Sequence, residues 1–312
     1  MLSGEFELAW RESDLISARA NPDPNRFWDG RPLAGNRILI RCLHGFGDTL
    51  QFVRYVPLIR QIASSVMIEA QPQLKSLLTE ACLADQVITW TEPEPVWDQQ
   101  VEVMELPRIF RTTISTIPNC VPYISVSTRT EELPVARPSD LRIGVVWKSG
   151  AFNPSRSVPI EQFARIFGQM SVSFYALQVG PEHEDVRPWA DCVYDLHHRL
   201  TAILDTARIL KQMDMVITVD TMLAHLAGAM AIPVWTLLPF HADWRWMLHR
   251  DDSPWYPTMR LFRQPEPDNW AEVMARIESE LRRLVLARSR SSPPPPCPAG
   301  KRSAKAAALL EQ

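Results

Sequence analysis

Two short stretches carry the side chains best suited to chemistry. Asp220, Thr221 and His225 follow the apolar, β-branched run from Met215 to Val219. That run reads as a buried strand, and the small apolar residues from Leu223 to Met230 read as the helix after it. A helix that begins abruptly behind a parallel strand presents unpaired N–H groups and a partial positive charge, which suits a phosphate. Asp220 and Thr221 offer oxygens that cap the helix or meet ligand hydroxyls. His225 stands one turn beyond Thr221 on the same face. A plain N-cap and a satisfied core histidine fit this spacing equally well. The second stretch has the same design: His44-Gly45-Phe46-Gly47-Asp48-Thr49 follows the strand-like run from Arg37 to Leu43 and leads into a helix expected from about Asp48 to Ala63. Gly45 and Gly47 permit a tight turn and a close approach to a ligand. Asp48 sits at the helix mouth, where Asp most often serves as a cap.

The elements that must position these residues alternate along the chain. An amphipathic helix over 4–20, with Phe6, Leu8, Trp10 and Leu15 as its apolar members, precedes a Pro-, Asn- and Gly-containing linker. Strands are then expected over 37–43, 65–70, 86–90 and 101–104, with helices over 48–63, 73–82 and 108–117. The segment 118–138 is Pro-rich and charged, the best place for a boundary. The pattern restarts with strands over 142–147, 172–179, 192–196, 215–219, 233–238 and 259–262, and helices over 159–168, 203–213, 223–230 and 268–286. An aromatic-rich loop occupies 239–258. This predicts two α/β units with parallel sheets: a helix and linker over 1–31, a first Rossmann-like domain over 32–135, a second over 136–287, and a disordered tail over 288–312.

Composition excludes several classes. The formal net charge is -3 and the pI about 6.2, so no global nucleic-acid binder is indicated. The five cysteines are scattered without a C-x-x-C pair, which argues against a disulfide framework and a zinc or iron–sulfur site. The most apolar region, 214–240, is interrupted by Asp220, His225 and Pro233, so no transmembrane segment is expected. A reducing cytoplasm is the expected compartment.

Five separated motifs resemble glycosyltransferase family 9, the heptosyltransferases, and most of all the domain of that family found in bacterial tetratricopeptide-repeat proteins. They are Gly-Phe-Gly-Asp-Thr-Leu-Gln-Phe-Val-Arg-Tyr (45–55), Phe-Tyr-Ala-Leu-Gln-Val-Gly-Pro (174–181), Val-Asp-Thr-Met-Leu-Ala-His-Leu-Ala-Gly-Ala (219–229), Asp-Trp-Arg-Trp (243–246) and Asp-Ser-Pro-Trp-Tyr-Pro-Thr-Met-Arg-Leu-Phe-Arg-Gln (252–264). The resemblance spans about residues 26 to 285. It implies a GT-B fold, two Rossmann-like domains facing across a cleft, with the last helix often crossing back to the first domain. It also implies metal-independent, inverting transfer of a heptose-like sugar from a nucleoside-diphosphate sugar to an acceptor hydroxyl. ADP-heptose is the donor of the members named heptosyltransferases, and no cofactor is implied.

Carried over residue by residue, the family's general base falls on Asp48, and Gly45, Gly47, Thr49 and Gln51 fall on the acceptor side of the cleft. Lys148, Ser149, Arg156, Gly180, Glu182, Asp220, Thr221 and His225 fall on the donor side. Arg156 suits a bidentate grip on a diphosphate, and Glu182 suits a ribose. The chain departs from the repeat-protein members at Leu43-His44, where they carry Glu-Gln, and in a shorter loop before Arg156. A glycan, a lipid-linked sugar or a protein hydroxyl all remain open as acceptor, and so does a peripheral or protein partner. A non-catalytic nucleotide-sugar-binding module of the same fold is the alternative, and a sugar-nucleotide epimerase or hydrolase a third reading. The first turn lacks the third glycine of the dinucleotide fingerprint, which disfavours a nicotinamide dehydrogenase.

Overall fold

A computed structural model describes residues 1–291 except 34, 128–132, 135–136, 138–139 and 151. The expected alternation of strands and helices is present, with shorter helices. The first half contains α1 (Phe6–Ala20), β1 (Arg37–Arg41), α2 (Phe46–Phe52), α3 (Val56–Ile59), β2 (Ser65–Ala70), α4 (Pro72–Glu80), β3 (Gln86–Thr89), β4 (Gln99–Glu102) and α5 (Leu106–Ile109). The second contains β5 (Leu141–Val146), α6 (Ile160–Phe163), β6 (Val172–Ala176), β7 (Val193–Asp195), α7 (Ile203–Leu210), β8 (Met215–Val219), α8 (Met222–Ala229), β9 (Val234–Leu238), β10 (Met259–Arg263) and α9 (Trp270–Ser291). A proline accounts for one of the breaks: Pro57 sits in the first turn of α3, where a missing N–H costs nothing but a preceding helix cannot run through. The single helix expected over 48–63 is therefore α2, a 3₁₀ turn over Val53–Tyr55, and α3. α5, expected over 108–117, starts at Leu106 and stops at Ile109, with Arg111 beyond it at φ +48°.

Every strand pairing is parallel. The first sheet has the order β3-β2-β1-β4 and the second β10-β9-β8-β5-β6-β7. In each sheet the chain reverses direction once, between β1 and β4 and between β5 and β8. Crevices at the carboxyl ends of strands open at such switch points. The segments leaving β1 and β8 are those that carry Asp48 and Asp220.

The two halves meet directly. α2 and α8 pack against one another, and from Leu223 to Ala229 α8 is buried at every residue. Gly47 makes this possible: a Cβ there would lie 2.8 Å from Cδ2 of His225. Gly228 does the same for Tyr256, whose Cδ1 would be 2.4 Å from a Cβ. Arg54 fastens the contact. It is 2% exposed and donates to the carbonyls of Gln51 and Trp255 and to the Tyr123 hydroxyl, at 2.6, 2.5 and 2.9 Å. Its guanidinium also lies over the rings of Tyr123 and Tyr256.

α1 buries Phe6 and Trp10 only; Leu8 and Leu15, expected in its apolar face, are exposed. Phe6 packs on Trp244 and Trp255 of the second half, while the Trp10 indole donates to the carbonyl of Thr112 in the first. Asp14 and Glu7 pair with Arg108 and Arg111. It is α1, then, that spans both halves, whereas α9 packs on α6 and β10 of the second. α9 continues to Ser291, and the disorder expected for the tail concerns residues that from 292 lie outside the described ones. Among the described residues no helix is long and apolar enough to cross a membrane.

Candidate active site

Two adjoining chambers fill the crevice between the sheets. The larger, of about 830 Å³, lies mainly over the switch point of the second sheet. The smaller, of about 610 Å³, lies over that of the first. They share Gly45, Gly47, Phe152, Arg156 and the run Asp220-Thr221-Met222, which form the passage between them.

On the first-sheet side, Gly45 is the N-cap of α2 and Asp48 is the third residue of the helix, in its first turn. Its Oδ2 accepts from the Gly45 N–H at 3.0 Å. Its Oδ1 accepts from Arg245 Nη2 at 2.5 Å. Arg245 comes from the aromatic loop after β9 and was given no role from sequence. Its Nε donates to Gln51 Oε1 at 2.6 Å and its Nη1 to Asp243 Oδ1 at 2.9 Å. The guanidinium lies between the rings of Phe52 and Trp244, and the side chain is 8% exposed. Thr49 and Gln51, expected on the cleft, face inward instead. Thr49 donates to Gln71, which holds the His44 carbonyl, and Gln51 supports Arg245. His44, at the mouth of the smaller chamber, has its Nε2 3.9 Å from Glu102 Oε1. Burial pushes the Glu102 carboxyl above its ordinary range.

On the second-sheet side, Thr221 alone caps α8, its hydroxyl accepting from the Leu223 N–H at 3.3 Å. Asp220 is thereby left free of the cap. It is 3% exposed, its Oδ2 accepts no hydrogen bond, and Arg156 Nε stands 3.5 Å away. Burial raises its pKa, and Arg156 opposes the rise. The Asp220 Oδ2 is closed to solvent, with Arg156 and the Trp246 indole as its polar neighbours. His225 is stacked on Trp246 and its Nδ1 is 2.9 Å from the Tyr256 hydroxyl. Burial, and after it Arg245, Arg54 and Arg156, hold its pKa well below 6.5, so the ring is neutral.

The remaining donor-side residues fall in the larger chamber with one exception. Lys148 lines it and pairs with Asp185 at 3.1 Å. The Ser149 hydroxyl donates to the Asn153 carbonyl at 2.8 Å and so shapes the loop that carries Arg156. Glu182 lines the chamber; Gly180 does not, and serves the turn, with φ +85° and the Glu182 carboxylate where a Cβ would sit. Phe152, 97% exposed, stands at the mouth of both chambers. Among the described residues no three His, Cys, Asp or Glu side chains are grouped to hold a metal ion.

No protein-family model matches the chain. Protein FlbA of Caulobacter vibrioides is 22% identical over 89% of the chain, which spans about half, 53%, of that relative's length. Among solved structures, the ADP-heptose lipopolysaccharide heptosyltransferase II of E. coli matches with a TM-score of 0.58 at 13% identity, over 81% of this chain and 99% of its own. The glycosyl transferase family 9 protein of Veillonella parvula matches with a TM-score of 0.56 at 14% identity, over 85% of this chain and all of its own. The chain has the GT-B fold of these family 9 structures, with two Rossmann-like units on either side of the crevice.

Proposed function

We propose, from the family 9 fold, that the chain is an inverting glycosyltransferase acting on a nucleoside-diphosphate sugar. One observation carries this reading. The two chambers join where a carboxylate of the first half, Asp48, comes into the same smaller chamber as Arg156, Asp220 and Thr221 of the second. The larger chamber has room for a nucleotide, and Arg156 with the start of α8 offers a seat for its diphosphate. Asp220 accepts from a sugar hydroxyl, and Lys148 and Glu182 contact the nucleoside end. The smaller chamber takes the acceptor. Asp48 removes the proton from the acceptor hydroxyl. The oxygen attacks the anomeric carbon from the face opposite the diphosphate, and the bond to the diphosphate breaks with its electron pair on the phosphate oxygen. Arg156 and the α8 N–H groups stabilise that charge. Products are the glycoside, the nucleoside diphosphate and protonated Asp48. ADP-heptose, named for the E. coli neighbour, is the first donor to try.

Asp48→Asn is the test. Transfer should fall by at least about 10²-fold, the scale of general-base loss, while urea unfolding stays close to wild type. Normal turnover by that variant would remove Asp48 as the base. A non-catalytic nucleotide-sugar-binding module is the second reading, favoured by the fact that both Asp48 oxygens already accept hydrogen bonds. Calorimetry with ADP- and UDP-sugars beside a donor-hydrolysis assay separates the two, because binding without turnover would favour the module.

A further inference from the structure

An arginine that holds a general base occupies an oxygen that would otherwise accept from the substrate hydroxyl. Arg245 does so at 2.5 Å from Asp48, with the guanidinium buried between two rings where screening is weak. Yet Arg245 belongs to the half that carries Arg156 and Asp220, and it lines the chamber they share. The acids hydrogen-bonded to its guanidinium are Asp48 and Asp243, Asp220 in the same chamber also feels its charge, and Gln51 is neutral. Asp243 lies two residues away on the same loop and travels with it, whereas Asp48 lies across the crevice.

Building on the reading of the crevice as a nucleoside-diphosphate site, we propose that Arg245 is a shared counter-ion. Asp48 and the donor diphosphate compete for it, so that donor binding draws the cation from Asp48 and frees its Oδ1 for the acceptor hydroxyl only when donor is present. Arg245 is a positioning residue for Asp48 in the empty cleft and a diphosphate contact in the filled one. The arrangement couples the two sites through one charge, and such coupling is reciprocal: what weakens the Asp48–Arg245 pair must strengthen donor binding by the same factor.

The test is a double-mutant cycle on ADP affinity, read by calorimetry and needing no turnover. Asp48→Asn frees Arg245 and should tighten ADP about tenfold, within the usual range of such couplings. Arg245→Gln should weaken ADP about tenfold or more. In the double variant Asp48→Asn should have no effect, because the cation it would release is gone. Arg245→Lys, which keeps charge but not the fork, should restore part of the affinity. A merely structural Arg245 would give additive changes and no gain in Asp48→Asn, and that result overturns the proposal while leaving the transferase reading in place. Wild-type protein that binds neither ADP nor UDP would overturn the donor reading and the proposal with it. Folding of each variant is checked by urea unfolding, and should Arg245→Gln not fold, the Asp48→Asn gain and the Arg245→Lys affinity decide alone.

Discussion

Gly47→Ala tests the contact on which the crevice is built. The added Cβ would lie 2.8 Å from Cδ2 and 3.3 Å from Nε2 of His225. Carbon atoms rest about 3.5–4.0 Å apart, so roughly 0.7 Å or more must be found. The histidine cannot supply it. Its ring is stacked on Trp246, its Nδ1 is tied to the Tyr256 hydroxyl, and Tyr256 in turn is pressed onto Gly228. The backbone of α2 must lift from α8, an overpacking cost of about 1–3 kcal/mol. Alanine returns at most about 1 kcal/mol of helix propensity, and less in a first turn. The expected net loss is about 1–2 kcal/mol by urea unfolding. The effect on transfer should be larger, because Asp48 is the next residue and a displacement of about 1 Å can cost roughly 10²-fold in rate. His225→Ala removes the ring that the methyl strikes. In that background Gly47→Ala should cost nearly nothing, a coupling of about 1–2 kcal/mol in the cycle. Gly47→Ala protein as stable as wild type, or strictly additive losses in the double variant, would refute the packing argument.

Two further perturbations test the same interface from other sides. Arg54→Met keeps much of the stem but leaves the carbonyls of Gln51 and Trp255 and the Tyr123 hydroxyl without the donor they share. The Tyr123 hydroxyl keeps its bond to the Leu50 carbonyl, so at about 1–3 kcal/mol for each of the two carbonyls left without it a stability loss of about 2 kcal/mol or more is expected in urea, and a loss below about 1 kcal/mol would show the bolt to be idle. His225 makes stability pH-dependent: it stays neutral when folded, while the unfolded imidazole titrates near 6.5. As pH falls below 6.5 the unfolded chain takes up the proton first, so stability is full above that value and declines beneath it, by up to about 1.4 kcal/mol per pH unit for one proton. His225→Asn should flatten the decline between about pH 6.5 and 5 in urea titrations, and an unchanged slope would assign the acid lability elsewhere.

Much of the fold is readable from local pattern. The β-branched run from Met215 to Val219 forms a strand with those bounds, and the alternation of strand and helix signals foretells parallel sheets. What local pattern misses is set by tertiary contacts. The α2 boundary falls at Phe46, two residues before the expected start, so Asp48 is the third residue of the first turn and its carboxylate turns back to the N-cap Gly45. Thr49 and Gln51 sit in the same motif as Asp48 but are buried, Thr49 on Gln71 and Gln51 beside Asp48 on Arg245, and periodicity cannot tell such a face from an open one without knowing what covers it. Arg245 is 197 residues from Asp48, and no spacing rule links them. The Asp-Trp-Arg-Trp motif was the available signal, an arginine among aromatic residues next to an acid, but its partner appears only once the halves are brought together. α1 misleads for the same reason: four apolar residues suggest one face, and just two find cover, Phe6 against the aromatic loop and Trp10 against Thr112.

That helix also bears on how molecules reach the crevice. With Phe6 seated against Trp244 and Trp255 and Trp10 tied to Thr112, swinging the sheets apart would strip aromatic surface into water at the back of the molecule. Wide opening of the crevice carries that cost, whereas its mouth, where the side chain of Phe152 stands almost wholly in solvent, admits a molecule without it.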